Sequence, residues 1–492
     1  MNLFDYFFPD RDVPEKDFVL GAGETASYRD IWEDSLKIAA FLRREAGENR
    51  HIILLSENSV FFIKVYLGIL RSGNICIPVN PLTEPSGLAY IAGHTGCPLL
   101  FLGAERADAA GLPVRTLGKK EVAGILNRGD HAAVSWPDDF DGNRTAAIIF
   151  TSGSTGAPKG VMLSHLNIRS NTDSILEYLD LGRKDIAGVV LPFYYCYGLS
   201  VLHTHLRARA SVVLINSFMF IGQVIQDLMR YRCTGFAGVP SHFQILLRKS
   251  ATFRGSCLPD LRYATQAGGR LHDIFITEFM NAFPGIPFFV MYGQTEASAR
   301  LACLPPENLH EKLGSIGRAI PGVTLAVMRD DRSLAAPGEV GELVARGPNI
   351  MKGYFKDPQA TDEVLKDGWL HTGDLARTDG DGYIYLVGRK KEIIKVGGHR
   401  VSPREIEEVI LSVPEVMDCT VKAVWDDLLG EGLEATVVVT GGTNDPGLRS
   451  KILQQCRQKL ALYKVPRLIT FQNTMNVNNA GKKISPQPSI TN

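Results

Sequence analysis

No two of the eight cysteines are spaced as Cys-x-x-Cys, so the usual zinc-knuckle and dithiol patterns are missing. Several of the cysteines sit in apolar runs such as Asn74-Ile75-Cys76-Ile77-Pro78, the setting of a buried free thiol in a reducing compartment. Charge of one sign is not in excess either. Lys plus Arg and Asp plus Glu are 53 each, which removes the electrostatic case for nucleic acid or an anionic membrane as the main partner. No apolar run reaches the roughly 18 residues that suggest a membrane span. The opening Met1-Asn2-Leu3-Phe4-Asp5 lacks a basic segment followed by an apolar one, so no secretory signal is expected and the predicted location is the cytoplasm. Internal repeats and long low-complexity segments are also missing.

What is there is ordinary globular material, 45% hydrophobic and 22% charged. A chain of 492 residues exceeds what one core organises, since cores stop growing at roughly 250–300 residues. Short apolar runs at 52–55, 146–150, 188–191, 211–215 and 287–291 suit buried strands. Between them, 30–44 places Trp32, Leu36 and Ala39 on one helical face, and 61–70 is a second, apolar helix. Strand–helix alternation of this kind predicts an α/β fold with largely parallel sheets. Beyond about residue 310 glycine and proline become frequent, and short strands are expected from 324 to 385. A helix at 401–413, strands at 419–424 and 434–439 and a helix at 446–460 then form a small α+β unit. The change of texture puts a domain boundary near 388–392.

The sharpest local signal is Thr151-Ser152-Gly153-Ser154-Thr155-Gly156-Ala157-Pro158-Lys159-Gly160, directly after the apolar run Ala147-Ile148-Ile149-Phe150. Small residues let backbone N–H groups approach an anion, the hydroxyls of Thr151, Ser152, Ser154 and Thr155 add donors, and Lys159 adds a point charge suited to phosphate. The glycine spacing differs from that of a Walker A loop, and Lys159 precedes a glycine rather than Ser or Thr.

This loop resembles the phosphate loop of the acyl-adenylate-forming superfamily, which comprises acyl- and aryl-CoA ligases, the adenylation domains of peptide synthetases, and luciferases. The resemblance continues in order along almost the whole chain. It takes in Ser27-Tyr28, Val79-Asn80-Pro81, Tyr292-Gly293-Gln294-Thr295-Glu296, Gly341-Glu342-Leu343 through Gly347, Met351 to Tyr354, Gly368-Trp369-Leu370-His371-Thr372-Gly373-Asp374 and Gly388-Arg389-Lys390-Lys391-Glu392-Ile393-Ile394-Lys395. It implies a large multi-sheet N-terminal domain over 1–390 and a small mobile α+β C-terminal domain over 391–492. It also implies a reaction. A carboxylate attacks the α-phosphate of ATP to give an acyl-adenylate and pyrophosphate, and a thiol then displaces AMP. The thiol belongs to coenzyme A or to the phosphopantetheine of an acyl carrier protein. The first step brings two anions together, so cationic shielding and in-line positioning matter more than a general base.

By the same resemblance Glu296 is the Mg²⁺ ligand, Thr295 donates to the α-phosphate, and Tyr292 with Gly293 lies along the adenine. Asp374 takes the ribose hydroxyls, Arg389 reaches the ribose or phosphate edge, and Ala267-Gly268-Gly269 is the small-residue turn beside adenine and acid. Lys391 is the pivot of the C-terminal domain, and Gly397-Gly398 lets a pantetheine arm pass. The superfamily's terminal lysine corresponds to Lys482, with Lys483 as the alternative. Here the usual Pro-x-Thr before it is replaced by asparagines in Asn476-Val477-Asn478-Asn479, while the upstream Leu460-x-x-Tyr463-Lys464-x-Pro466 agrees.

Leu191-Pro192-Phe193-Tyr194-Tyr195-Cys196-Tyr197-Gly198 resembles a segment of CoA ligases in which histidine stands where Tyr195 does; amino-acid-activating domains carry Asp there. A buried ammonium with no anion costs several kcal/mol, so an α-amino acid is disfavoured and a small aryl or short-to-medium carboxylic acid is expected. Phe236-Ala237-Gly238-Val239-Pro240 is expected to form an apolar wall of the acid pocket, and Gln266 to meet a polar group of the substrate. Two other readings stand beside this one, an amino-acid adenylating enzyme and a nucleotide-binding protein with impaired catalysis.

Overall fold

The computed structural model describes the chain except residues 10–11, 22, 105–110, 129–139, 152–157, 219, 256–257, 391, 397–398, 427–429, 440–445 and 475–492. Four sheets organise it. In the largest, nine-stranded sheet, Asp17–Leu20, Ser211–Leu214, Ile186–Val189, Gly235–Gly238, Tyr263–Gln266 and Phe288–Tyr292 lie side by side and parallel. Antiparallel strands close both edges. These strands are short and apolar because helices cover both faces of a parallel sheet. The seven-stranded sheet has a parallel core of His51–Leu55, Ile75–Val79, Leu99–Leu102, Arg115–Gly118 and Thr145–Thr151. The hairpin from Thr145–Thr151 to Lys159–Ser164, with Gly353–Tyr354 added antiparallel, completes it. All five expected N-terminal strands are present within a residue or two of their predicted limits.

The helix Tyr28–Glu45 begins with a capping box, in which Ser27 accepts from the Asp30 N–H and Asp30 accepts from the Ser27 N–H. Its buried stripe is Ile31, Ser35, Ile38 and Leu42. Of the expected face, Ala39 is fully buried and Trp32 and Leu36 pack, partly buried, at the margin of the core; the polar Ser35 is also buried and donates its hydroxyl to the Ile31 carbonyl. Tyr28 is fully buried and ties this helix to the nine-stranded sheet by donating to the carbonyls of His205 and Ala210. Val60–Arg71 is buried nearly all round, and Ser59 caps it.

The strands expected between 324 and 385 form a third, antiparallel sheet of Thr324–Met328, Gly341–Arg346, Trp369–Thr378 and Leu365–Lys366, with Ile384–Arg389 pairing on Trp369–Thr378. The fourth sheet contains Ile394–Val396, His399–Val401, Val416–Asp426, Gly430–Val439 and Leu468–Gln472. The predicted helix at 401–413 is shorter. Val401 ends a strand, and Pro403 at the first helical position opens Pro403–Leu411. Gly430–Val439, the helix Pro446–Lys459 and Leu468–Gln472 make one parallel strand–helix–strand unit. The sheet affiliation changes between Arg389 and Ile394. The buried core does not stop there. Phe236, Phe243 and Phe279 belong to one apolar cluster with Ile394, Ile406, Val421 and Ile469. The Arg270–Glu408 ion pair also crosses between the two parts.

Candidate functional site

Four neighbouring parallel strands of the nine-stranded sheet, Ile186–Val189, Gly235–Gly238, Tyr263–Gln266 and Phe288–Tyr292, end at one rim. The segments that follow them carry Tyr195, Val239, Gly268 and Glu296. The carboxyl ends of parallel strands are where open α/β sheets place ligands.

Tyr292 is the last residue of its strand. Its hydroxyl donates to Oδ2 of Asp374 at 2.6 Å, and Nε of Arg389 donates to Oδ1 of the same carboxylate at 3.2 Å. Asp374 is only 3% exposed, and it stands opposite Arg389 in the third sheet, on Trp369–Thr378 and Ile384–Arg389. Thr372 braces the turn before it by donating to the Leu343 carbonyl and accepting from the Asp374 N–H. Burial first, and then the Asp374 charge, push the Tyr292 phenol well above its ordinary range, so it stays a donor. Burial works against the charge on Arg389, and the Asp374 and Glu392 carboxylates outweigh it and raise its pKa.

Four residues on, Glu296 accepts the Tyr354 hydroxyl on Oε1 at 2.8 Å, and its backbone carbonyl accepts the Met351 N–H at 2.8 Å. Nζ of Lys159 lies 5.0 Å from the centre of the Tyr354 ring. Glu296 therefore bridges the nine-stranded sheet to the edge of the seven-stranded one, beside the hairpin that carries the expected phosphate loop. Thr151 and Lys159 face each other across that hairpin. Thr295 donates to Sγ of Cys196 at 3.3 Å, at the start of the helix Cys196–Arg207. The turn between the two clusters needs Gly293, because a Cβ there would lie 2.0 Å from the Ala299 carbonyl oxygen. Ser298 and Ala299 hold positive φ angles of 56° and 117° to bring that carbonyl in. Gly268, at φ +83°, forms the tight turn expected after Tyr263–Gln266, and Ala267 donates to the Gly238 carbonyl.

Two of the proposed pocket residues behave differently from expectation. Phe236 turns away from the rim and packs edge-on against Phe243 in the core, with ring centres 5.8 Å apart. Strand alternation explains this: Ala237 and Val239 take the opposite face, and Gly238 shares the Phe236 face, where a Cβ would meet Phe243. Gln266 is buried and donates its amide to the Gly269 carbonyl at 2.5 Å, so it holds the turn. Tyr195 is half-buried at the start of Cys196–Arg207, beside Tyr194 at 4.9 Å. Burial raises its pKa, and a hydrogen bond with Asn80 partly offsets the rise. Ser152, Gly153, Ser154, Thr155, Gly156, Lys391, Gly397, Gly398, Lys482 and Lys483 lie outside the described residues.

Sequence reasoning missed Tyr354. It lay within a quoted motif, but nothing in the sequence paired it with Glu296.

The profile described as AMP-binding enzyme matches residues 9–355, and that described as AMP-binding enzyme C-terminal domain matches 405–482. The chain belongs to the AMP-binding enzyme family. A long-chain-fatty-acid–CoA ligase of Yersinia pestis is 30% identical, covering 94% of this chain and 89% of that protein. A feruloyl-CoA synthase of an Amycolatopsis species is 29% identical, covering 96% and 95%. Among solved structures of AMP-binding enzymes, ATP-bound MatB from Rhodopseudomonas palustris superposes with a TM-score of 0.86 at 27% identity, covering 98% and 97%. The mixed α/β architecture, with a large N-terminal part and a smaller C-terminal one, is thus that of adenylate-forming enzymes. Among the described residues no helix is long and apolar enough to cross a membrane.

Proposed function

We propose that the chain is an AMP-forming ligase that converts a small carboxylic acid to its acyl-adenylate and passes the acyl group to coenzyme A. The observation that carries this is the span Tyr292–Glu296. It links a buried carboxylate flanked by a phenol and a guanidinium at one end to a carboxylate held by Tyr354, the tyrosine whose ring Lys159 overlies, at the other. Those features suit the two ends of a nucleoside triphosphate. Asp374 has lone pairs left for ribose hydroxyls after serving Tyr292 and Arg389. We assign Lys159 and the loop 151–156 to the phosphates.

Glu296 fits a magnesium ion. One of its oxygens is taken by Tyr354 and the other remains for a metal, and Mg²⁺ is commonly held by one or two carboxylates together with substrate phosphates. When bound, it would supply charge neutralisation on the phosphates. Thr295 directs a hydroxyl toward the start of Cys196–Arg207, where we place the reacting carboxyl. Lys482 offsets negative charge as carboxylate and α-phosphate meet, and Lys391 is the pivot between 1–390 and 391–492. Tyr195 supplies no anion for an ammonium, so the acid is a plain carboxylate. Coenzyme A is favoured as acceptor because the relatives are named as CoA ligases.

The test is acid-dependent exchange of labelled pyrophosphate into ATP across a panel of aryl, short and medium acids, amino acids included. Coenzyme A or a phosphopantetheinylated carrier protein is then added. No exchange with any acid by folded protein that still binds ATP would sink the reading. Thioester on the carrier protein alone would replace the acceptor.

A further inference from the structure

Tyr354 ends the two-residue strand Gly353–Tyr354, which lies antiparallel on Lys159–Ser164 with Tyr354 opposite Val161. Backbone bonds fix it from both sides. Lys352 donates to the Met162 carbonyl at 3.0 Å, and Phe355 donates to the Gly160 carbonyl at 2.7 Å. The Tyr354 N–H itself donates to Oγ1 of Thr361 at 2.9 Å. The residue is 8% exposed. One well-anchored ring therefore stands between the hairpin of the expected phosphate loop and the turn that carries Glu296.

That ring meets two opposite charges. Its hydroxyl donates to Oε1 of Glu296 at 2.8 Å, and Nζ of Lys159 lies 5.0 Å from its centre, within the reach of a cation–π contact. Among the described residues neither Lys159 nor Glu296 forms an ion pair, with the other or elsewhere. A lysine is a point charge on a flexible stem, and a nearby carboxylate is its natural partner. Here the anion is held at the edge of the ring and the cation over its face. A direct pair would neutralise both charges, and it would have to break before a phosphate could take one or a metal the other. Burial and the Glu296 charge both raise the pKa of the phenol, so it stays protonated and remains a donor.

We propose that Tyr354 is a positioning residue that keeps the empty nucleotide site charged and open: its hydroxyl engages one Glu296 oxygen and leaves the other for magnesium, and its ring keeps Lys159 from collapsing onto that carboxylate. This rests on the assignment of Glu296 to the metal and of Lys159 to the phosphates, and deepens it. Tyr354 acts through those two residues and holds neither metal nor nucleotide itself.

The experiment reads binding rather than turnover. Mn²⁺ replaces magnesium, and its affinity in the presence of a non-hydrolysable ATP analogue is followed by electron paramagnetic resonance. Affinity for the analogue without metal is measured by calorimetry in EDTA. Tyr354→Phe keeps the ring and loses the hydroxyl. It should weaken Mn²⁺ binding by about 10-fold or more, the scale for removing a group that orients a metal ligand, and leave metal-free binding of the analogue unchanged. Tyr354→Leu also removes the ring face and should weaken both. Its metal-free loss should vanish when Glu296→Gln is added, so that the double variant binds the analogue as Glu296→Gln alone does. A merely structural role for the ring would not be rescued in this way. Should Tyr354→Leu fail to fold, Tyr354→Phe decides alone. Unchanged Mn²⁺ affinity in Tyr354→Phe, equal losses with and without metal, or no rescue in the double variant overturns the proposal and leaves the adenylation reading standing. Folded wild type that binds neither the analogue nor Mn²⁺ overturns both.

Discussion

Asp374→Ala offers the most direct test of the nucleotide site. In the folded protein the substitution strands the Tyr292 hydroxyl, which donates to Oδ2 at 2.6 Å, and frees Arg389. A hydrogen bond to a charged partner contributes about 1.5–3 kcal/mol. The Arg389 side chain is half exposed and can turn to water, so its share falls toward the 0–1 kcal/mol typical of surface pairs. The expected loss of stability is therefore about 2–3 kcal/mol, read from denaturant unfolding. Stability alone does not reveal a ligand, and the informative measurement is a cycle with 2′-deoxy- and 3′-deoxy-ATP in pyrophosphate exchange. If Asp374 accepts from the ribose, the wild type should lose about 1.5–3 kcal/mol of apparent binding with a deoxy nucleotide, roughly 10- to 150-fold. Asp374→Ala should pay that penalty once, for ATP itself, and show little further loss with the deoxy analogue. Tyr292→Phe keeps the carboxylate and should retain the wild-type discrimination. An unchanged deoxy penalty in Asp374→Ala would refute the assignment, because two groups that touch one another must couple.

Gly293→Ala puts a Cβ at 2.0 Å from a carbonyl oxygen, and it should yield insoluble protein or cost more than the about 1–3 kcal/mol usual for overpacking, as measured by thermal unfolding. His165, His203, His205 and His242 are buried, and burial holds them neutral at pKa values of about 3, 3, 4 and 4. Because these values lie below the unfolded value, the stability they contribute is complete above pH 6.5 and is lost as pH falls toward 4 and 3, at about 1.4 kcal/mol per pH unit for each. The urea midpoint should drop clearly between pH 7.5 and 5.5, and a flat profile would contradict their burial. Arg270→Ala removes the ion pair to Glu408 across the two parts of the chain, and it should speed protease cleavage within 389–402; unchanged cleavage would mean that the shared apolar cluster alone holds the lobe.

The strands and the small-residue turns were legible because both are local. Short apolar runs bounded by turn residues mark buried strands, and a glycine marks a place where backbone comes close. Glu296, Asp374 and Tyr292 were likewise named from their motifs, and the structure brings them into two linked clusters. What the sequence could not supply was the facing of side chains and the pairing of distant segments. Phe236 sits in an apolar run that can present either of two faces, and the packing of Phe243 decides which. The Trp32 face of Tyr28–Glu45 was more apolar on paper, yet Ser35 was admitted to the core through its own helix carbonyl.

The apolar cluster that includes Phe243 and Phe279 on one side and Ile406 and Val421 on the other has a thermal consequence. If the C-terminal part turns about Lys391 between half-reactions, any separation of those faces wets hydrocarbon. Exposed apolar surface raises heat capacity by about 0.45 cal/mol/K per Å². The turned state would then carry a higher heat capacity than the docked one, and the equilibrium between them would follow a curved van't Hoff plot. The balance of the two half-reactions would drift with temperature even where the chemistry of each did not.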